Sequence, residues 1–216
     1  MSPLGGDVLM GRKIAPEKVA ALKEYTKEKV PDLKIFYKDE PLPDVWWIKV
    51  MFWLVNLVGV FSPSWKSKWM TRVSNAMGST YMVFPTREGY SDLSDYSTYL
   101  IYRHELVHLQ DARKYGVWFI LSYVLFPLPF LLAGRAHWEY RGYAQNLLVR
   151  YEERGEISDA SLEWIGEHYW GTLYFWMWPF KKFVKKKLEC LRQDIYDGKV
   201  EGYHPDVTWW KTESSI

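Results

Sequence analysis

The sequence predicts an α+β fold that is mostly helical and contains a small β-sheet. Long segments carry apolar residues at the three- and four-residue spacing of helices, whereas only two short runs, 34–37 and 80–84, have the composition of strands. A chain of 216 residues can bury the core of one domain. We expect a flexible lead over 1–15, a single domain over 16–200 and a C-terminal tail over 201–216.

The N-terminal half is predicted to contain a polar helix followed by an apolar one. Prolines at its first turn and just beyond its end predict a helix over about 16–29. Residues 45–61 are apolar on every side apart from one lysine and one asparagine, which is typical of a helix in a core or at a lipid surface. We expect this helix to lie in the core. The strand at 80–84 is either internal or an edge that holds an extended substrate.

The C-terminal half is predicted to be helical. A helix over about 95–115 ends at a glycine, and the uncharged residues 117–134, interrupted by Pro-Leu-Pro, predict a buried apolar helical hairpin that returns the chain to its starting point. Both apolar segments are shorter than the ~20 residues that span a bilayer. Further helices are expected from 135 to about 153 and over 159–168.

The helix over 95–115 carries His104, Glu105 and His108 in a His-Glu-x-x-His pattern, although the chain has only five histidines. Residues four apart lie on one face of a helix, so the two imidazoles would point at a common metal ion. Glu105 would stand beside that ion, where a carboxylate can take a proton from water and pass it to a leaving group. The alternative is a surface helix that happens to carry two histidines.

This motif resembles that of the zincin zinc metallopeptidases, specifically the branch with a glutamate ligand. The resemblance implies a zincin-like domain, a Zn²⁺ cofactor, a peptide or protein substrate and a third ligand on a downstream helix. Glu139 is the matching carboxylate, and His137 is its rival because residues two apart on a helix cannot both reach the metal. Glu139 is favoured because Gly142 and Tyr143 share its face. The glycine would permit close approach of the motif helix, and the tyrosine would support the site.

Other side chains are candidates for supporting roles. Asp111 lies on the same helical face as His108 and would either orient a ligand histidine or form a surface ion pair. His168, Tyr169 and Tyr174 are candidate donors to the oxyanion that forms when water attacks a carbonyl. Glu139 could instead pair with an arginine on a solvated face.

Composition limits the other functions. A net charge of +2 gives no indication of nucleic-acid binding, and the single cysteine excludes an internal disulfide framework. The aromatic content of 18% is high, and an aromatic stretch leads into five lysines over Tyr169–Lys187. This pattern is typical either of peripheral membrane contact or of a core strand or helix that leads into a solvated basic helix. With no signal peptide evident, we expect a cytoplasmic or peripheral membrane location. The competing hypothesis is a non-enzymatic scaffold or assembly subunit with a structural or vestigial metal site.

Overall fold

The computed structural model describes residues 14–124, 134–171, 177–178 and 180–202. Within them the fold is α+β and mostly helical, with a small sheet, as the sequence predicts. The helices are α1 (Pro16–Lys29), α2 (Trp46–Phe61), α3 (Pro63–Arg72), α4 (Arg87–Ser91), α5 (Asp95–Tyr115), α6 (Val117–Val124), α7 (Gly134–Arg154), α8 (Asp159–Trp170) and α9 (Lys181–Tyr196). The strands are β1 (Lys34–Tyr37), β2 (Asn75–Met77) and β3 (Tyr81–Phe84). The predicted lead and tail, the Pro-Leu-Pro turn and Tyr174 lie wholly or almost wholly outside these residues.

The sheet has the order β1-β3-β2, with β1 parallel and β2 antiparallel to β3. Met82 of β3 pairs with Ile35 on one side and with Ala76 on the other. Of the two alternatives predicted for the strand at 80–84, the internal strand is therefore confirmed, and the edge that holds a substrate is wrong. The outer strand β2 was not predicted, because Asn-Ala-Met is too short and too weakly β-forming to stand out.

Helices cover both faces of the sheet. Successive side chains of a strand point to opposite faces, so Met82 and Phe84 pack with α1 and α5, whereas Val83 packs with α2 and α3. A second core lies beyond α5, where α7 packs against α8 and α9 through Leu147, Ile165 and other apolar residues. The helix α5 thus lies between the sheet and α7.

The ends of α5 follow from its sequence. The Ser94 hydroxyl accepts a hydrogen bond from the backbone N–H of Ser97, which caps the first turn. Gly116 ends the helix at a φ of 56°, a conformation that favours glycine. Asp95 and Ser97 lie inside the helix.

Two predicted core helices are more exposed than expected. Trp46, Trp53 and Phe61 of α2 face outward, and Trp118 of α6 is 73% exposed, although Phe119 beside it is buried. The prediction of a fully buried hairpin after the motif helix is therefore wrong for its first arm. None of the helices in the described ranges is both long and apolar enough to cross a membrane.

Candidate metal centre

The helix α5 brings the two motif histidines to one point. His104 and His108 are buried, and their Nε2 atoms lie 3.0 Å apart. Their rings are one helical turn apart on the face that meets α7, in agreement with the spacing argument. The geometry of the helix alone is enough to place the pair.

The helix α7 supplies Glu139 opposite them. Its Oε2 lies 3.4 Å from His104 Nε2, and one potential ligand atom from each of His104, His108 and Glu139 falls within 4.8 Å of the others. The other oxygen, Oε1, accepts a hydrogen bond from the Tyr123 hydroxyl of α6. His137 is exposed, with its ring beside Trp138, and is not part of the cluster.

Gly142 lets the two helices come this close. A Cβ atom at this position would lie 2.6 Å from Cε1 and Nε2 of His104, far inside van der Waals contact. Tyr143 follows on the same face, and its ring centroid is 4.9 Å from that of His104. Any larger residue at 142 would therefore push His104 away from Glu139.

The three side chains suit a metal such as zinc. Tetrahedral zinc with bonds of ~2.0–2.1 Å separates its ligand atoms by roughly 3.3 Å, close to the 3.0 and 3.4 Å found here. Glu139 Oε2 is buried and lies 3.4 Å from His104 Nε2, which is long for a hydrogen bond. A buried carboxylate oxygen with only this weak contact is stabilised if a cation joins it to the two imidazoles. The residues therefore fit the group that the motif implies.

The protonation states of His108 and Glu139 suit metal binding. Burial would lower the pKa of His104, but its hydrogen bond to Glu139 and the charge of that carboxylate raise it, so a metal would have to displace a proton there. Burial, together with the neighbouring His104, lowers the pKa of His108 to about 3, which leaves its imidazole neutral. Burial would raise the pKa of Glu139, but the hydrogen bond and charge of the neighbouring imidazoles outweigh it and hold that pKa well below its usual range. A neutral imidazole and an ionised carboxylate are the forms that bind metal.

Glu105 lies beside the cluster and faces the sheet. Its Oε2 accepts a hydrogen bond of 2.5 Å from the backbone N–H of Ala76 in β2. Burial raises the pKa of this carboxyl to about 7, with Glu139 adding to the rise and His104 opposing it. A carboxyl with such a pKa can both accept and release a proton near neutral pH.

The residues predicted to support the site differ in whether their side chains can do so. Asp111 is buried and accepts a hydrogen bond of 2.8 Å from Arg141 Nε rather than from a ligand histidine, since His108 Nδ1 has no partner. His168 donates its Nδ1 proton to the carbonyl of Trp164 and lies beside Tyr143. Its neutral ring therefore has no proton left on Nε2, and burial lowers its pKa. Tyr169 keeps a buried hydroxyl without a partner.

Sequence reasoning missed three contributors to the site. Tyr123 was one aromatic residue among many in the apolar hairpin, and the backbone of Ala76 carries no sequence signal at all. Lys38 is the third: it is buried, and its Nζ donates hydrogen bonds of 2.6 Å to the carbonyls of Trp69 and Val73. Lys38 is also close enough to Glu105 for their charges to interact. A lysine directly after a strand is normally predicted to lie at the surface, so nothing in the sequence indicates that Lys38 is buried.

Comparisons with protein-family models, curated proteins and solved structures find no match to this chain. The functional argument therefore depends on the geometry of the site itself.

Proposed function

We propose that this protein is a zinc-dependent hydrolase and, most simply, a metallopeptidase of the zincin type. The observation that carries the proposal is the convergence of His104, His108 and Glu139, with the Glu105 carboxylate beside them. Three protein ligands with an adjacent carboxylate are the arrangement of catalytic zinc sites, which keep one position open.

His104, His108 and Glu139 would hold the ion. A zinc ion bound there would polarise a substrate carbonyl and lower the pKa of water to ~7. Glu105 takes the proton of the attacking water and delivers it to the leaving group. Its bond to Ala76 fixes the orientation of the carboxylate and leaves Oε1 for that proton transfer.

Of the candidate oxyanion donors, Tyr169 is favoured over His168. The Nδ1 proton of neutral His168 is already used by Trp164, so the ring would have to be charged to donate from Nε2, which burial opposes. Among the described residues the Tyr169 hydroxyl has no hydrogen-bond partner, and its ring lies 5.8 Å from that of Tyr143, which contacts His104. An available donor beside the metal ligands is what oxyanion stabilisation needs.

A peptide substrate suits the edge of the sheet. The strand β2 pairs with β3 on one side only, and Ala76 in its middle points its N–H at Glu105. An extended peptide that lay along the outer side of β2 would run past the Glu105 carboxylate, by the strand-addition mode of recognition. This position replaces the edge at 80–84 as the proposed substrate strand.

The competing function is a scaffold with a structural metal. Structural zinc sites are usually closed by four protein ligands. Among the residues that the structure describes, the cluster has three members. That difference favours the hydrolase.

Glu105→Gln separates the two functions. We expect the variant to keep its fold and its bound metal while hydrolysis of a mixed peptide library falls about a hundredfold or more, because the amide cannot accept the proton. His137→Ala, a change of an exposed histidine outside the cluster, is the matched control and should leave the rate unchanged. Wild-type protein that carries zinc but cleaves no peptide in the library would support the scaffold, and an unimpaired Glu105→Gln variant would contradict the assigned role of Glu105.

A further inference from the structure

The helix α2 has two apolar faces, and within the described part of the chain only one of them is packed. Ile48, Phe52, Val55 and Gly59 are buried and face α3 and the sheet. On the outer side lie large apolar side chains that are exposed: Trp46, Val50, Trp53, Leu54, Leu57, Val60 and Phe61. An outer helix face of a protein in water is normally polar.

The exposed residues form one continuous surface. At 3.6 residues per turn they fall within an arc of about 120°, roughly opposite the buried residues. The two polar residues of the helix, Lys49 and Asn56, lie at one border of that arc. The surface therefore runs along the whole length of the helix and is unbroken by charge, which distinguishes it from scattered exposed apolar residues.

The residues around this surface are positively charged. Lys49 at the border of the arc is paired with Asp44, so the positive charge next to this surface comes from Lys66 and Lys68. Lys66 and Lys68 belong to α3, which packs against α2. The aliphatic stem of Lys66 lies against Gly59, so its ammonium group is held next to the C-terminal half of α2.

We propose that α2 docks the folded protein on an anionic lipid surface, with the helix lying in the plane of the interface. The apolar arc would enter the boundary between headgroups and acyl chains, where tryptophan rings are favoured, and the lysines of α3 would contact the headgroups. This surface is separate from the metal centre, so the inference does not depend on the proposed function.

The charge also argues against a second copy of the chain as the occupant of this surface. Across a two-fold axis the same patch meets itself, so the basic surroundings of two α2 helices would be brought together and would repel. An anionic bilayer complements both the apolar arc and its basic border.

The described part of the aromatic-basic stretch predicted from the sequence offers less apolar surface for docking than α2 does. Tyr169 at its start is 4% exposed and belongs to the core of α7, α8 and α9. Within the described part of the stretch, Phe180 and Phe183 are its exposed large apolar side chains. Two rings offer much less insertable area than the seven side chains of α2.

Vesicle flotation of the full chain tests the proposal. We expect wild-type protein to float with vesicles of mixed phosphatidylcholine and phosphatidylserine at low salt, and less protein to float at high salt. Trp53→Glu should weaken binding by roughly tenfold or more. The matched control is Phe183→Glu on α9: the two side chains have similar exposure, 61% and 50%, and their replacement should not disturb the fold. The control should bind like wild type, and circular dichroism should show both variants folded.

Three results would overturn the proposal. The first is wild-type protein that does not float with anionic vesicles at low salt. The second is a loss of binding in Phe183→Glu but not in Trp53→Glu, which would assign docking to α9. The third is a wild-type dimer that Trp53→Glu dissociates without any vesicle binding, which would assign the surface to a second copy of the chain.

Discussion

At the residue scale, the position that decides the site is Gly142. Any side chain there would collide with the His104 ring, whose imidazole must remain between His108 and Glu139. Glycine inside a helix costs roughly 0.5–1 kcal/mol relative to alanine. Its presence in the middle of α7 therefore reflects the packing of the site and not the stability of the helix.

We expect Gly142→Ala to weaken metal binding by at least about tenfold without unfolding the protein. The methyl group displaces His104, whereas helix propensity improves. Zinc titration by calorimetry, together with a thermal melt, measures both effects. Full zinc affinity in Gly142→Ala would show that the close approach of α7 is not required for binding.

A second prediction at this scale concerns pH. Burial holds the pKa of Lys38 well below its usual value. Between that depressed pKa and ~10.4 the unfolded chain binds more protons at this site than the folded chain, so the free energy of unfolding rises with pH, by up to about 1.4 kcal/mol per unit. Below the depressed pKa, Lys38 is charged in both the folded and the unfolded chain. The folded chain then carries the full free-energy cost of burying the ammonium group.

Urea unfolding of wild type and Lys38→Met at several pH values between about 7 and 9.5 checks this contribution. We expect the rise with pH to be smaller in the variant, because methionine does not titrate. Equal slopes in the two proteins would mean that the buried lysine stays charged, with the carbonyls of Trp69 and Val73 and the nearby Glu105 stabilising the ammonium.

At the element scale, a buried ion pair joins α5 to α7. The Arg103 side chain is fully buried, and its two terminal nitrogens donate to the two carboxylate oxygens of Glu152 at 3.0 and 3.2 Å. Gln145 also accepts a hydrogen bond from Arg103. Arg103 directly precedes His104 in α5, and the pair fixes the relative position of the two helices that carry the candidate ligands.

We expect Glu152→Gln to lower the free energy of unfolding by about 3–5 kcal/mol, because it leaves a buried guanidinium without its counter-charge. The neighbouring Glu153→Gln is the matched control, since the Lys18–Glu153 pair is partly exposed and contributes at most about 1 kcal/mol. Chemical unfolding of both variants measures the difference. Similar losses in the two would contradict the assigned role of the buried pair.

Predictability from the sequence also differs between elements. The bounds of α1, β1 and α5 were predictable because periodicity, prolines and glycines mark them locally. Sequence alone did not predict β2, nor did it predict which side of α2 faces outward, because these depend on contacts between distant segments. The pairing of Glu139 with the motif histidines could be predicted only from the face that Glu139 shares with Gly142 and Tyr143 and from the resemblance of the motif to zincins. Asp111 forms an ion pair, which is one of its two predicted roles, but its partner Arg141 comes from another helix and is not marked in the local sequence.

At the scale of the whole molecule, metal binding and stability are linked. The candidate ligands come from α5 and α7, which contribute mainly to different parts of the core, so an ion bound between them would join those parts in the folded state only. We expect chelation to lower the melting temperature and added zinc to restore it. A melting temperature that does not respond to either treatment would show that no ion binds between the two helices.

The most direct test of the central claim is the metal content of the purified protein. We expect about one zinc per chain in wild type and in Glu105→Gln, and loss of zinc in His104→Ala and Glu139→Ala. Elemental mass spectrometry of the folded proteins measures this content. His137→Ala should keep its zinc. Wild-type protein that neither contains nor binds zinc, or a Glu139→Ala variant that keeps it while His137→Ala loses it, would contradict the site described here.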